Sequence, residues 1–145
     1  MQLDSDWKIN LEALEKRRLS LMVIKDGREL FRSPKSGMLP LIDLLETERD
    51  RLVGTTVVDR VVGGAAAKLL LWQHVKRIDA LVASRRAKDL LRHSGVEFNY
   101  RELVPRLIDP KTGQPNRFET MCVKYDYPQL FYGALREELL IFKAS

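Results

Sequence analysis

Ser84-Arg85-Arg86 is the run in this sequence best suited to chemistry, a hydroxyl followed by two guanidinium groups. It stands where Ala80-Leu81-Val82-Ala83, which reads as the buried end of a strand, gives way to a helix-forming stretch. Ligands in open α/β sheets sit beyond the carboxyl ends of strands. A helix N-terminus offers unpaired N–H groups and a partial positive charge, and arginine adds bidentate phosphate donors. The run therefore marks a candidate pocket for a small anionic, nucleotide-like ligand, set against the plainer reading of a Ser84 N-cap and two solvated arginines. Asp59 is the second candidate: either the opposite wall of that pocket, or an early-turn carboxylate near a helix dipole. Cys122, the sole cysteine, is either a small buried residue or, with a lowered pKa and a nearby base, a nucleophile. Asp59 and Cys122 together would make a divergent enzyme. His74 and His93 stand alone, with no HxxH or CxxC partner. They read as surface or helix-capping residues, and no metal or cofactor is expected.

The charge distribution adds a second class of partner. The chain carries 25 basic and 20 acidic residues, and the excess falls between Lys68 and Arg106. This stretch could attract phosphates, nucleic acid or acidic partners. A nucleic-acid-binding module would also use stacking surfaces, for which Tyr100, Phe118, Tyr125, Tyr127, Phe131 and Tyr132 are candidates. No recognised nucleic-acid motif accompanies them. A third class is an oligomerisation module, in which Gly63–Ala67 packs against its own copy; packing inside the monomer is the favoured alternative. No apolar run approaches a membrane span. The acidic start of the sequence has no secretory h-region, and one cysteine forms no internal disulfide. The expected location is therefore a bacterial-type cytoplasm.

These residues need a scaffold, and 145 residues suffice for one domain with one core. The spacing of Trp7, Leu11 and Leu14 predicts a helix from Asp4 to Arg17, capped by Asp4, Ser5 or Asp6. Leu19–Lys25 predicts a strand, and its unbroken apolar centre Leu21-Met22-Val23-Ile24 fits burial on both faces. Asp26-Gly27 predicts a tight hairpin returning through Arg28–Arg32. Leu39–Glu48 follows as a short helix with Pro40 in its first turn. Val58–Trp72 predicts one long apolar helix, with Gly63-Gly64 in its interior for close packing. Lys76–Ala83 predicts a strand, Arg85–His93 a helix stopped by Gly95, and Val96–Tyr100 a half-buried strand. Arg101–Leu107 reads as a helical turn, 109–116 as a loop, Thr120–Lys124 as a possible last strand, and Pro128–Phe142 as a closing helix. A helix, a hairpin and then β-α-β units predict one mixed sheet with helices on both faces.

Val58-Asp59-Arg60-Val61-Val62-Gly63-Gly64-Ala65-Ala66-Ala67 resembles the signature helix of a small bacterial family of unknown function with the cytidine-deaminase fold. Lys25-Asp26-Gly27, Asn99–Pro105 and Met121-Cys122 extend the resemblance from about Leu19 to Cys122. It implies a three-layer α/β domain over residues 1–145, with a mixed sheet of about four to five strands. Zinc deaminases hold their metal with a His or Cys at one helix start and two Cys at the next, beside a proton-shuttling Glu. The first position is expected near Thr55–Arg60, where Asp59 is the one conceivable ligand. The second is expected at Ser84-Arg85-Arg86, where both cysteines are missing. In the family, the cysteine is followed by Pro-Met-Glu; here Val123-Lys124-Tyr125 follow. The resemblance thus implies the fold without the zinc-deaminase chemistry.

Overall fold

The computed structural model describes residues 6–144, with side chains to Leu139. Asp6 caps the first helix, α1 (Trp7–Lys16), by accepting a hydrogen bond from the Lys8 amide. The other candidate caps, Asp4 and Ser5, and the Phe142 side chain lie outside the described residues. Strand β1 (Leu21–Lys25) turns through Asp26 and Gly27, both at positive φ (51° and 76°), into β2 (Arg28–Ser33). That geometry is the reason Asp-Gly marks a tight hairpin. Helix α2 (Leu39–Glu48) leads to β3 (Thr56–Val62), α3 (Gly64–Trp72), β4 (Arg77–Ser84), α4 (Arg85–Leu91) and β5 (Glu97–Val104). Two further helices, α5 (Arg117–Cys122) and α6 (Pro128–Ala144), close the chain.

The five strands form one mixed sheet in the order β2-β1-β3-β4-β5. The β1 pairings are antiparallel; β3, β4 and β5 run parallel. Because the β3-α3-β4 and β4-α4-β5 crossovers step across the sheet in the same direction, their common handedness puts both helices on one face. That face carries the main core: Leu21, Val23, Val57 and Ile78 from the sheet meet α2, α3, α4 and α6. On the other face α1 lays Leu11 and Leu14 over Met22, Ile24 and Val58. Alternate residues of β1 thus serve opposite cores, which is why its sequence is an unbroken apolar run. The α1 layer also covers a polar centre. Asp79 is fully buried and accepts from Asn10 (3.1 Å), Asn99 (3.1 Å) and the Arg77 guanidinium (2.9 Å).

Three sequence expectations are corrected. Val58–Trp72 is not one helix: Thr56–Val62 is the central strand, and the helix starts at Gly64. Short apolar runs fit either period, and here β-branched Val57, Val58, Val61 and Val62 take the slot between β1 and β4. Gly63 is an extended N-cap rather than a helix interior. Arg101–Val104 extends β5, because its pairing with β4 persists to Ser84↔Val104. Thr120–Lys124 is not a strand, since Asn116 caps helix α5 through the Phe118 and Glu119 amides.

Candidate functional site

The first turns of α3 and α4 begin where β3 and β4 end, so two helix starts face the same side of the sheet. The segment after β5 folds back across them. Its loop is closed by an Ile108–Pro115 bridge and by the Asn116 amide donating to the Leu107 carbonyl (2.9 Å). This return lays α5 over both helix starts and brings in Glu119, a residue the sequence did not single out.

Glu119 is buried and forms the hub of the site. Its Oε1 accepts from the Gly64 amide (2.8 Å) and the Ser84 hydroxyl (3.2 Å), and its Oε2 accepts from the Ala65 amide (2.9 Å). A carboxylate of the chain's own thus takes the place where an external anion would meet the α3 N-terminus. The two glycines make room for it. A Cβ on Gly63 would stand well inside contact distance of the Glu119 carboxyl and Leu107, and one on Gly64 would meet Arg86 Cδ. The Gly63-Gly64 pair is therefore set by close approach at a strand–helix junction. The rest of Gly63–Ala67 is buried within this same chain.

Ser84 is the N-cap of α4, accepting from the Ala87 amide (3.2 Å) while donating to Glu119. Arg86 Nη1 donates to the Glu119 carbonyl (2.8 Å). Lys68, on α3, donates to the Cys122 carbonyl (2.9 Å) and to the Tyr125 carbonyl, holding the carboxyl end of α5. That is the end of a helix dipole where a cation is favoured. Cys122 is 1% exposed, with Sγ 3.3 Å from the Glu119 carbonyl. Burial first, and the Glu119 charge second, push its thiol above the ordinary range, although Arg86 and Lys68 oppose this. A nucleophilic cysteine needs the reverse shift.

The sequence expected Asp59 and Ser84 to face each other across one cleft. They open instead onto two cavities that share Glu119 and Leu107 as a partition. The larger, about 720 Å³, is lined by Lys68, Ser84, Arg85, Arg86 and Arg106, and it reaches Cys122. The smaller, about 440 Å³, takes in Asp59, Arg60, Met38, Ala65 and Phe118. Asp59 sits within β3 between Leu21 and Ala80, five residues before α3, because the preceding segment is strand. Burial pushes its carboxyl up to about 7, against weaker lowering by hydrogen bonds from the Val61 and Arg60 amides. Asp59 and Cys122 line different cavities and do not form one catalytic pair.

The basic excess of residues 68–106 is mostly consumed internally. Arg77 pairs with Asp79, Arg92 with Asp89, and Arg101 with Glu15. Lys88 lies over the Tyr100 ring and Lys68 is held by carbonyls. Arg85 and Arg106 have no ion-pair partner among the described residues, and both line the larger cavity with Arg86. Of the proposed stacking aromatics, Tyr100, Phe118, Tyr125, Phe131 and Tyr132 pack against the main core, whereas Tyr127 is exposed. His74 and His93 are exposed residues at positive φ just past α3 and α4. Among the described residues no three His, Cys, Asp or Glu side chains converge to hold a metal ion. No described helix is long and apolar enough to cross a membrane.

The family model for a domain of unknown function (DUF1893) matches residues 9–139. The solved structure of a DUF1893 family protein from Thermotoga maritima is 31% identical, covering 90% of this chain and 88% of that one, with a TM-score of 0.79. The structure of Acinetobacter baumannii RibD matches at 16% identity over 65% of this chain and 34% of that one, with a TM-score of 0.45. No curated protein matches the chain.

Proposed function

The chain belongs to the DUF1893 family, and we propose that it serves as a binding protein for a small phosphate-containing ligand held in the larger cavity. The observation that carries this reading is the set of three guanidinium groups, Arg85, Arg86 and Arg106, around one cavity at the carboxyl ends of β4 and β5. Arginines without carboxylate partners are available to a phosphate as bidentate, charge-assisted donors. A volume of about 720 Å³ lies within the usual range for small-molecule sites. Glu119 refines the reading. The α3 amides and Ser84 are already satisfied by that carboxylate, so the ligand's anion is held by the arginines rather than by a helix N-terminus. An extended nucleic-acid surface is supported less well, because most basic side chains outside the cavity are already paired and most aromatics pack inward.

The test is a thermal-shift screen of nucleotides and sugar phosphates against the intact protein and an Arg85→Ala/Arg106→Ala variant. A ligand present far above its dissociation constant raises stability by RT ln(1 + [L]/Kd). The expected result is a rise in Tm with at least one phosphate compound, lost in the double variant. No rise with any of them at millimolar concentration overturns the proposal.

A further inference from the structure

The smaller cavity contains an ionisable group that the reading above leaves unused. Asp59 lies on the central strand and lines this cavity. No side chain among the described residues partners it by hydrogen bond or ion pair. The other ionisable groups on this wall have partners of their own. Arg60 Nε donates to the Leu19 carbonyl (2.7 Å), and the Glu119 carboxylate is held by Gly64, Ala65 and Ser84. A half-buried carboxyl with no partner side chain is costly to keep.

The surroundings limit what could pair with it. The walls are mostly apolar, with Met38, Ala65, Ala66 and Phe118 among them, and Ser20, Ser36, Arg60, Asn116 and Glu119 add polar groups. Such walls disfavour a strongly hydrated ion, and one carboxyl among them fixes the orientation of a bound molecule. A carboxyl offers two oxygens in one plane, matched by an edge that presents two N–H groups, or one N–H and a ring nitrogen. We propose that this cavity is a second ligand site, taking a small planar molecule whose amidine-like edge pairs with Asp59. It is distinct in chemistry from the arginine-lined cavity: a nitrogen base here, a phosphate there.

The probes are 2-aminopyridine and benzamidine, with pyridine as the control that lacks the exocyclic N–H, titrated into the full chain by amide-resonance NMR. 2-Aminopyridine or benzamidine is expected to shift resonances around Phe118 and Met38, and pyridine to bind about tenfold more weakly or less, the loss of one charge-assisted hydrogen bond. Asp59→Asn, nearly isosteric, is expected to lower probe affinity at least about tenfold. Val61→Trp, at an exposed wall residue, is expected to obstruct the cavity without touching the carboxyl, giving a second variant should the first perturb the fold. The Arg85→Ala/Arg106→Ala variant is expected to bind the probes unchanged, which separates this site from the phosphate reading. Absence of binding by both probes at about 10 mM, where even a weak site is occupied, or equal affinity of wild type and Asp59→Asn, overturns the proposal.

Discussion

Replacing Glu119 by alanine removes the acceptor shared by the first two amides of α3 and by the Ser84 hydroxyl. A carboxylate at a partly buried helix N-terminus contributes up to about 2 kcal/mol. Each buried donor left without a partner costs about 1–3 kcal/mol. Glu119 lines both cavities, so water can enter the vacated space and restore part of that loss. The net expectation is about 2–4 kcal/mol, which for a chain of this length lowers Tm by roughly 6–12 °C. Glu119→Gln is more discriminating. It keeps one oxygen but turns an NH2 toward one of the two α3 amides, setting donor against donor, and is expected to cost about 1–2 kcal/mol. Urea unfolding followed by circular dichroism measures both, with m unchanged if the unfolded state is unaffected. An alanine variant within about 0.5 kcal/mol of wild type would refute the view that Glu119 is the structural anion of this site. A glutamine variant as stable as wild type would refute the need for both oxygens.

Gly63→Ala forces a methyl against the Glu119 carboxyl and Leu107; overpacking of this kind costs about 1–3 kcal/mol, measurable by the same unfolding experiment. Asp59 has its carboxyl raised from 3.8 to about 7, so between those values the folded state binds more protons than the unfolded state and stability falls as pH rises. Asp59→Asn should therefore match wild type below about pH 4 and exceed it at pH 8. The margin is about 1–2 kcal/mol, the full linkage of about 4 kcal/mol being discounted for partial solvent exposure; an equal pH dependence in both proteins contradicts this. Cys122, buried and shifted toward the neutral thiol, should react with Ellman's reagent only at the rate of unfolding; fast stoichiometric labelling of the folded chain excludes that reading.

Some of this molecule was legible in its residues because the causes are local. Asp26-Gly27 tolerates the positive φ of a tight turn, Ser84 caps the helix that follows it, and the apolar run of β1 requires cover on both faces. From these the hairpin, the α4 start and a two-faced mixed sheet follow. Val57–Val62 was not legible as a strand. A run apolar in both periods takes the form its neighbours allow, and here the neighbours are β1 and β4. The same holds for Arg101–Val104, whose strand form is imposed by pairing with β4.

The site divides along the same line. Its cationic wall was readable, since Ser84, Arg85 and Arg86 are consecutive and stand at a strand–helix junction. Glu119 was not, because it acts on Gly64 from 55 positions away and nothing in its local sequence marks it. The spacing of Gly63 and Gly64 signalled close packing, yet only the return of the chain through α5 decided that a carboxylate packs there. That one long-range contact separates Asp59 from Ser84, turning one expected cleft into two cavities of different chemistry. Local propensity and pattern determined the hairpin, most of the helices and the capping of α4. Tertiary contact, which can place any two distant residues side by side, decided which charges are already satisfied and which remain open to a ligand.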